Sequence, residues 1–497
     1  MKGLVRVVAV AAVGAGLVVG ADRLPGSLDV SAPAAGGAVP VARAVALTSS
    51  TTVCPGPQDL GVTGLPGTSA SRGRVDLLGA APPATALPAG VASAGGGTLG
   101  FSALPGRGPL RTPLSGGARD RGKVDTAYVS SAKSAVLSGT GALAPGAVAL
   151  QRSLTGSGDG RGLVTTACGP AAAEAWLLAG GAQPGRRERV VLTNPGPNAV
   201  TVDLDVLGAR GPVPSPNGRG VVVAPYGRTV VLLDAIAGQE NVPVLHVVAS
   251  GGEVAAVLDD TWLDGVVPRG GDDAAPAAAP SREQVVPAVR VDGAASVRVA
   301  VPGADEAVIQ TRVLTSRGPL PVPRDAVVRV AGHSSRDIDL TRLPRGAYAV
   351  QVKADVPVVA AAMVERRATP KGPSDFAWSS STPAISRLAG TVVRNPGTKR
   401  IAATLELAAT GGAGSAAVTV VDTRGRVSTR PVAVPSDGVA SVPLTGVTSV
   451  WVRPTAGTVR AGVVTWRTDA LGVMLSSTPL LDQPLTQRPV QVREQQG

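Results

Sequence analysis

The feature that most constrains this chain is an internal repeat. The run Val191-Leu192-Thr193-Asn194-Pro195-Gly196 returns 107 residues later as Arg298-Val299-Ala300-Val301-Pro302-Gly303, and after a further 94 residues as Val392-Val393-Arg394-Asn395-Pro396-Gly397. With the first offset held ungapped, Val206-Leu207 falls on Val313-Leu314, Arg210-Gly211-Pro212 on Arg317-Gly318-Pro319, and Leu233 on Leu340. Self-similarity at a fixed spacing means a string of like structural units.

The units read as β-structure. Val200, Val202, Leu204 and Val206 alternate with polar residues, and Ile401, Ala403, Leu405 and Leu407 are read as the same strand in the third copy. A period of two gives a sheet with one face in a core and one in water. Each Pro-Gly predicts a type II turn, with positive φ at the glycine. Each copy also ends in two apolar runs read as a closing strand pair: residues 244 to 262, 347 to 367 and 449 to 467. Trp176 and Trp378 precede Asn194 and Asn395 by 18 and 17 residues, which predicts a Trp-bearing strand opening the first and third copies. With 64 Gly and 43 Pro among 497 residues, and 44% apolar residues, the composition fits short strands and many turns rather than long helices.

The expected fold is therefore all-β: tandem β-sandwich domains, immunoglobulin-like in arrangement, after an N-terminal signal or anchor helix. The Cys, Trp and Cys spacing of antibody domains is absent. The predicted organisation is a signal peptide or signal anchor at 1–21, a linker at 22–47, and a divergent β-domain with a disulfide at 48–170. Sandwich repeats follow at 171–269, 282–370 and 371–485, with a low-complexity linker at 270–281 (GGDDAAPAAAP followed by Ser281) and a tail at 486–497.

Lys2 and Arg6 precede an uncharged run from Val7 to Ala21, a pattern that predicts export. It fits a cleaved signal or an uncleaved anchor, and both leave the rest of the chain outside the cytoplasm. In an oxidising compartment Cys54 and Cys168, the only cysteines, are expected to pair, the alternative being two unrelated buried thiols.

A net charge of +12 raises nucleic acid as a partner. The arginines are scattered singly, however, and no tract of five like charges occurs, so nucleic-acid binding is not expected.

The short export segment, the Val53-Cys54-Pro55-Gly56-Pro57 start, a second Cys shortly before Trp176, and successive Asn-Pro-Gly units together resemble an actinobacterial family of exported or membrane-anchored proteins of unknown function. Val301 in place of Asn departs from that pattern. The resemblance implies location and architecture and carries no activity.

Little in the chain points to chemistry. His246 and His333 are the only histidines, and neither lies near a nucleophile elbow, so neither is assigned a catalytic role. Asp259, Asp260 and Asp264 with Gly265, or Asp272 and Asp273, could offer oxygen ligands to Ca²⁺, but their spacing is not that of an EF-hand. Gly156, Gly158, Gly160 and Gly162 lack the Lys-Ser/Thr ending of a phosphate loop. The five tryptophans (176, 262, 378, 451 and 466) are expected in cores. No enzyme, cofactor or metal is expected. The expected role is binding or scaffolding in the cell envelope, with an envelope polymer or protein as partner and membrane contact at the N-terminus. A carbohydrate-binding accessory protein is the alternative, and a hydrolase a more distant one.

Overall fold

The computed structural model describes residues 44–58, 73–91, 95–104, 112–322, 324–367, 369, 371–393 and 401–487. The predicted signal segment, most of the 22–47 linker and of the tail, and Asn395-Pro396-Gly397 lie outside these residues. Among the described residues, no helix is long and apolar enough to cross a membrane.

The described chain is built almost wholly from antiparallel strands, and one topology recurs in it four times. The second module shows it best. Strands Arg228–Leu232, Arg186–Thr193, Ala255–Asp264 and Val267–Ala274 form one sheet, in that order. Strands Gly211–Val213, Val200–Gly208, Val244–Ser250 and Glu174–Leu178 form the other. Val190, Leu192, Val202, Leu204, Leu245 and Val247 fill the space between the sheets, the alternation that the sequence shows. The first module repeats the pattern with Val124–Val129, Val75–Ala80, Val148–Thr155 and Gly162–Cys168 facing Leu99–Leu104, Ser134–Thr140 and Ser49–Cys54. In the third and fourth modules single long strands, Gly346–Arg367, Ala402–Asp422 and Val447–Asp469, pass from one sheet into the other.

Several sequence expectations need correction. The two apolar runs near the end of each copy do not pair with each other. Val244–Ser250 and Ala255–Asp264 lie in opposite sheets, and a further strand closes the module. Trp378 sits in that closing strand of the third module, opposite Met363, and does not open the fourth. Ile401, Ala403, Leu405 and Leu407 correspond to the strand Arg186–Thr193, not to Val200–Gly208, because Ala402–Asp422 pairs with Val439–Pro443 as Arg186–Thr193 pairs with Arg228–Leu232. Every amphipathic strand has period two, so alternation alone could not fix which strand was which.

The Pro195-Gly196 and Pro302-Gly303 turns are also not type II. Neither Gly196 nor Gly303 has positive φ; the positive φ lies in the facing turn, at Tyr226 (52°) and His333 (54°), and Asp437 (45°) holds the like conformation opposite Gly411-Gly412. Tyr226 N–H donates to the Gly196 carbonyl at 3.0 Å and His333 N–H to Gly303 at 2.8 Å. Tyr226 and His333 are separated by the 107 residues of the first repeat offset, and all three residues reach the preceding module. Tyr226 packs on Val53, Leu104 and Val136, His333 lines a pocket with Trp176, and Asp437 pairs with Arg312 at 3.3 Å.

The 270–281 linker is the largest correction. Gly270 to Ala274 form most of the strand Val267–Ala274, in which Asp272 is fully buried and Asp273 nearly so. Only residues 275 to 280 connect the modules. The core of the second module continues into Phe376 and Trp378 of the third, so apolar surface that free beads would expose to water is covered. The fourth module packs in turn on the first, through Leu388, Val392, Val421, Trp451 and Leu485 against Leu78, Ala80, Val148 and Leu150. The modules thus form a closed ring. Val45–Ala46 completes it by pairing antiparallel with Thr486–Gln487, which moves those ends of the predicted linker and tail into the fold. Cys54 and Cys168 are joined, tying the first and last strands of the first module.

Candidate functional site

The four closing strands, Gly162–Cys168, Val267–Ala274, Ser374–Ser380 and Gly472–Leu480, touch one another in sequence and the last touches the first. Their meeting place is polar. Asp375 is fully buried, and its carboxylate accepts from the backbone N–H of Leu163 (3.1 Å), Leu475 (3.0 Å) and Gly271 (3.3 Å), one on each of the other three strands. Gly270 has φ 105°, and a Cβ there would lie 2.0 Å from Asp375 Oδ1, so only glycine fits.

Asp272 accepts from Trp378 N–H at 2.8 Å and from Ser476 Oγ at 2.8 Å. Thr165 N–H donates to Ser476 Oγ at 3.0 Å. Asp273 accepts from Thr166 Oγ1 and Gln151 Nε2. Burial pushes the Asp375 carboxyl up to about 8 against those N–H groups. Burial also raises Asp272 well above the usual carboxylate range, with the charges of Asp273 and Asp375 adding to the shift. This cluster is a structural lock, closed to solvent. The aspartates weighed as Ca²⁺ ligands are all engaged by protein groups: Asp260 by Arg186 at 2.9 Å and Trp378 Nε1 at 2.8 Å, Asp259 by Arg189 at 3.8 Å, and Asp264 by Arg269.

The seam between the second and third modules has solvent-facing openings. Arg298 fastens it. Its guanidinium donates to both Asp337 oxygens at 2.8 and 3.0 Å, and to the carbonyls of Ala179, Gly180, Pro243 and Asn241 at 3.0 to 3.3 Å. On one side lies a cleft of about 320 Å³ that includes Trp262, Gln183, Asp339 and Glu365. Trp262 is half-buried, and Arg186 and Arg269 lie 5.6 and 5.5 Å from its ring centre. Behind it Glu188 is pushed up to about 8, chiefly by burial, then by the charge of Asp260 against the opposing Arg186. A second pocket, of about 390 Å³, brings His246 and His333 together with Trp176. The tip carrying Gly156 and Gly158 is exposed.

Of the five tryptophans, Trp378 and Trp451 are core residues, Trp176 is largely covered, and Trp262 and Trp466 are only half-buried. Sequence reading passed over Asp375, Arg298 and Glu406. Each is a charge at 2% exposure or less, and for Arg298 and Glu406 the interruption of an apolar run is the available signal, whereas Asp375 lies among serines that hide it.

A ring of four all-β modules fastened by buried charges defines the class. The chain belongs to a family of unknown function, DUF5719, whose model matches residues 124–445. No curated protein sequence matches it. Among solved structures it is similar to a Thermotoga maritima protein (18% identity, 20% of this chain and 92% of that one, TM-score 0.17). It is also similar to a viral chemokine binding protein of a rodent gammaherpesvirus (12%, 65% and 89%, TM-score 0.17). A tetra-tandem repeat from the extending region of a large adhesion protein is a third (13%, 87% and 99%, TM-score 0.10). At these scores none of the likenesses bears on function.

Proposed function

We propose that this is an exported, non-catalytic protein of the cell envelope that binds or scaffolds an envelope polymer or protein. The observation that carries the reading is the closed ring, whose buried seams hold the modules in one body and fix the spacing of the clefts between them. Such a body suits a docking platform better than a flexible spacer. The Cys54–Cys168 bridge favours an oxidising compartment, in line with the export pattern at the N-terminus. Fractionation of native cells, with thiol alkylation before lysis, tests this. Envelope-associated protein with blocked cysteines is expected, and cytosolic protein with free thiols would refute it.

A second reading, carbohydrate recognition, is favoured by one observation: at the seam between the second and third modules the half-buried Trp262 borders an open cleft, and Trp176, although largely buried in the core, lines the neighbouring pocket.

A further inference from the structure

On the outer face of the second module Trp176, His246 and Asp205 stand in one row across three neighbouring strands, His246 lying opposite both. The Trp176 and His246 rings stack with centroids 4.1 Å apart and planes 10° from parallel. Glu174, two residues along and therefore on the same face, accepts from Trp176 Nε1 at 3.2 Å and meets His246 Nε2 at 2.8 Å, which fixes both rings. Arg219 pairs with Asp205 and lies 3.8 Å from Asp203. The third module supplies the facing wall with Pro302 and His333. The half-open space, about 390 Å³, falls within the roughly 300–1,000 Å³ of small-ligand sites.

From this arrangement we infer that the pocket binds a single pyranose ring of a neutral glycan, an inference that rests on the carbohydrate reading above. A sugar ring has apolar C–H faces and a rim of hydroxyls that both donate and accept. The partly exposed His246 ring, the small uncovered part of Trp176 behind it and the prolines 212, 214 and 302 offer the faces an apolar surface. The Asp205 carboxylate and the Arg219 guanidinium offer the rim an acceptor and a fork of donors side by side. Because Arg219 is shared between Asp205 and Asp203, and Glu174 lies on the same face, an anionic ligand gains little there, whereas a hydroxyl can use both a carboxylate and the guanidinium.

The two histidines make the test specific, since they are the only ones in the chain. The full exported chain, labelled with ¹³C at histidine Cε1, gives two ring signals, assigned with a His333→Gly variant. Glycine suits the φ of 54° at that position, so this variant keeps the fold while removing one wall. The probes are methyl glycosides of glucose, galactose, mannose and N-acetylglucosamine, with a proline decapeptide as the competing class. The expected result is that at least one glycoside moves both signals along a single saturation curve. Affinity should fall about tenfold in His333→Gly and in Asp205→Asn, since a lost polar or stacking contact is worth about 1.4 kcal/mol. Movement with the decapeptide and with no glycoside would overturn the assignment in favour of a peptide groove. Retention of the protein on a glycan array while neither histidine signal moves would place sugar binding elsewhere and sink this site alone. No retention and no shift would sink the site and the carbohydrate reading together.

Discussion

Asp375 and Leu163, 212 residues apart in sequence, meet at 3.1 Å, a side-chain carboxyl oxygen of one accepting the backbone N–H of the other. The third module thereby holds the closing strand of the first, and the same carboxyl group also holds those of the second and fourth. A single buried acid serves as the meeting point of four otherwise separate sheets.

Stability should therefore fall as pH rises. With its carboxyl held up to about 8, Asp375 keeps a proton in the folded state, where an unfolded chain, titrating near about 4, has lost it. The folded state binds more protons across that window, so unfolding becomes easier as pH climbs through it. Asp272 and Glu188, raised by the same burial, act in the same direction. Urea midpoints taken between about pH 5 and pH 9 should decline, and Asp375→Asn should flatten the slope. A midpoint that rises with pH would count against the buried-acid picture.

Arg298→Ala should cost about 2–3 kcal/mol, chiefly because it leaves the carbonyls of Ala179, Gly180 and Pro243 without their donor, while Asp337, a third exposed, is rehydrated. Lysine should not restore the loss, since one ammonium cannot reach both Asp337 and the opposite module. The exposed pair of Arg219 and Asp205 provides the contrast, and Arg219→Ala should change stability by less than about 1 kcal/mol. Chemical denaturation of the three variants measures the difference.

A fragment covering 281–497 should fail to fold alone. Repeat reading of the sequence gives the opposite expectation, an independent unit after a linker. The fragment lacks Asp272 and Gly271, partners of Trp378, Ser476 and Asp375, and exposes Phe376 and Trp378 to water. Dye binding and a broad unfolding transition are expected. In the intact protein, limited protease should spare the bond between Asp272 and Asp273, and early cleavage there would contradict the buried strand.

Cys54 and Cys168 should resist alkylation until the protein is both reduced and unfolded. Their bridge spans 114 residues, and its loss in a Cys54→Ala, Cys168→Ala variant should cost about 4–5 kcal/mol on the loop-entropy account, read from denaturant midpoints.

Strand content was legible because alternation such as Val200, Val202, Leu204 and Val206 is a direct record of one buried face. The 107-residue offset also proved meaningful, since Tyr226 and His333 occupy the same strained turn. The linker misreading has a physical source. Gly270 to Ala274 look like a soluble break because carboxylates and glycines usually face water, whereas here glycine makes room for Asp375 and the acids lock neighbouring modules. Residues 48 to 170 were read only as a divergent domain. Their strands repeat the common topology with little residue similarity, since any apolar set of matching alternation can fill such a core. The pocket with both histidines was invisible for a different reason: His246 and His333 are 87 residues apart and belong to different modules.

The short ladder of Val45–Ala46 with Thr486–Gln487 carries a mechanical consequence. Val45 lies opposite Gln487, so chain running outward from either residue leaves from one spot on the ring. A load applied across these ends pulls the two strands apart one hydrogen-bonded pair at a time, as a clasp is peeled, and does not shear the whole ladder at once. The clasp should give way at low force while the acid-centred lock stays shut. Opening of the clasp alone would leave the remaining seams, and the clefts between them, undistorted.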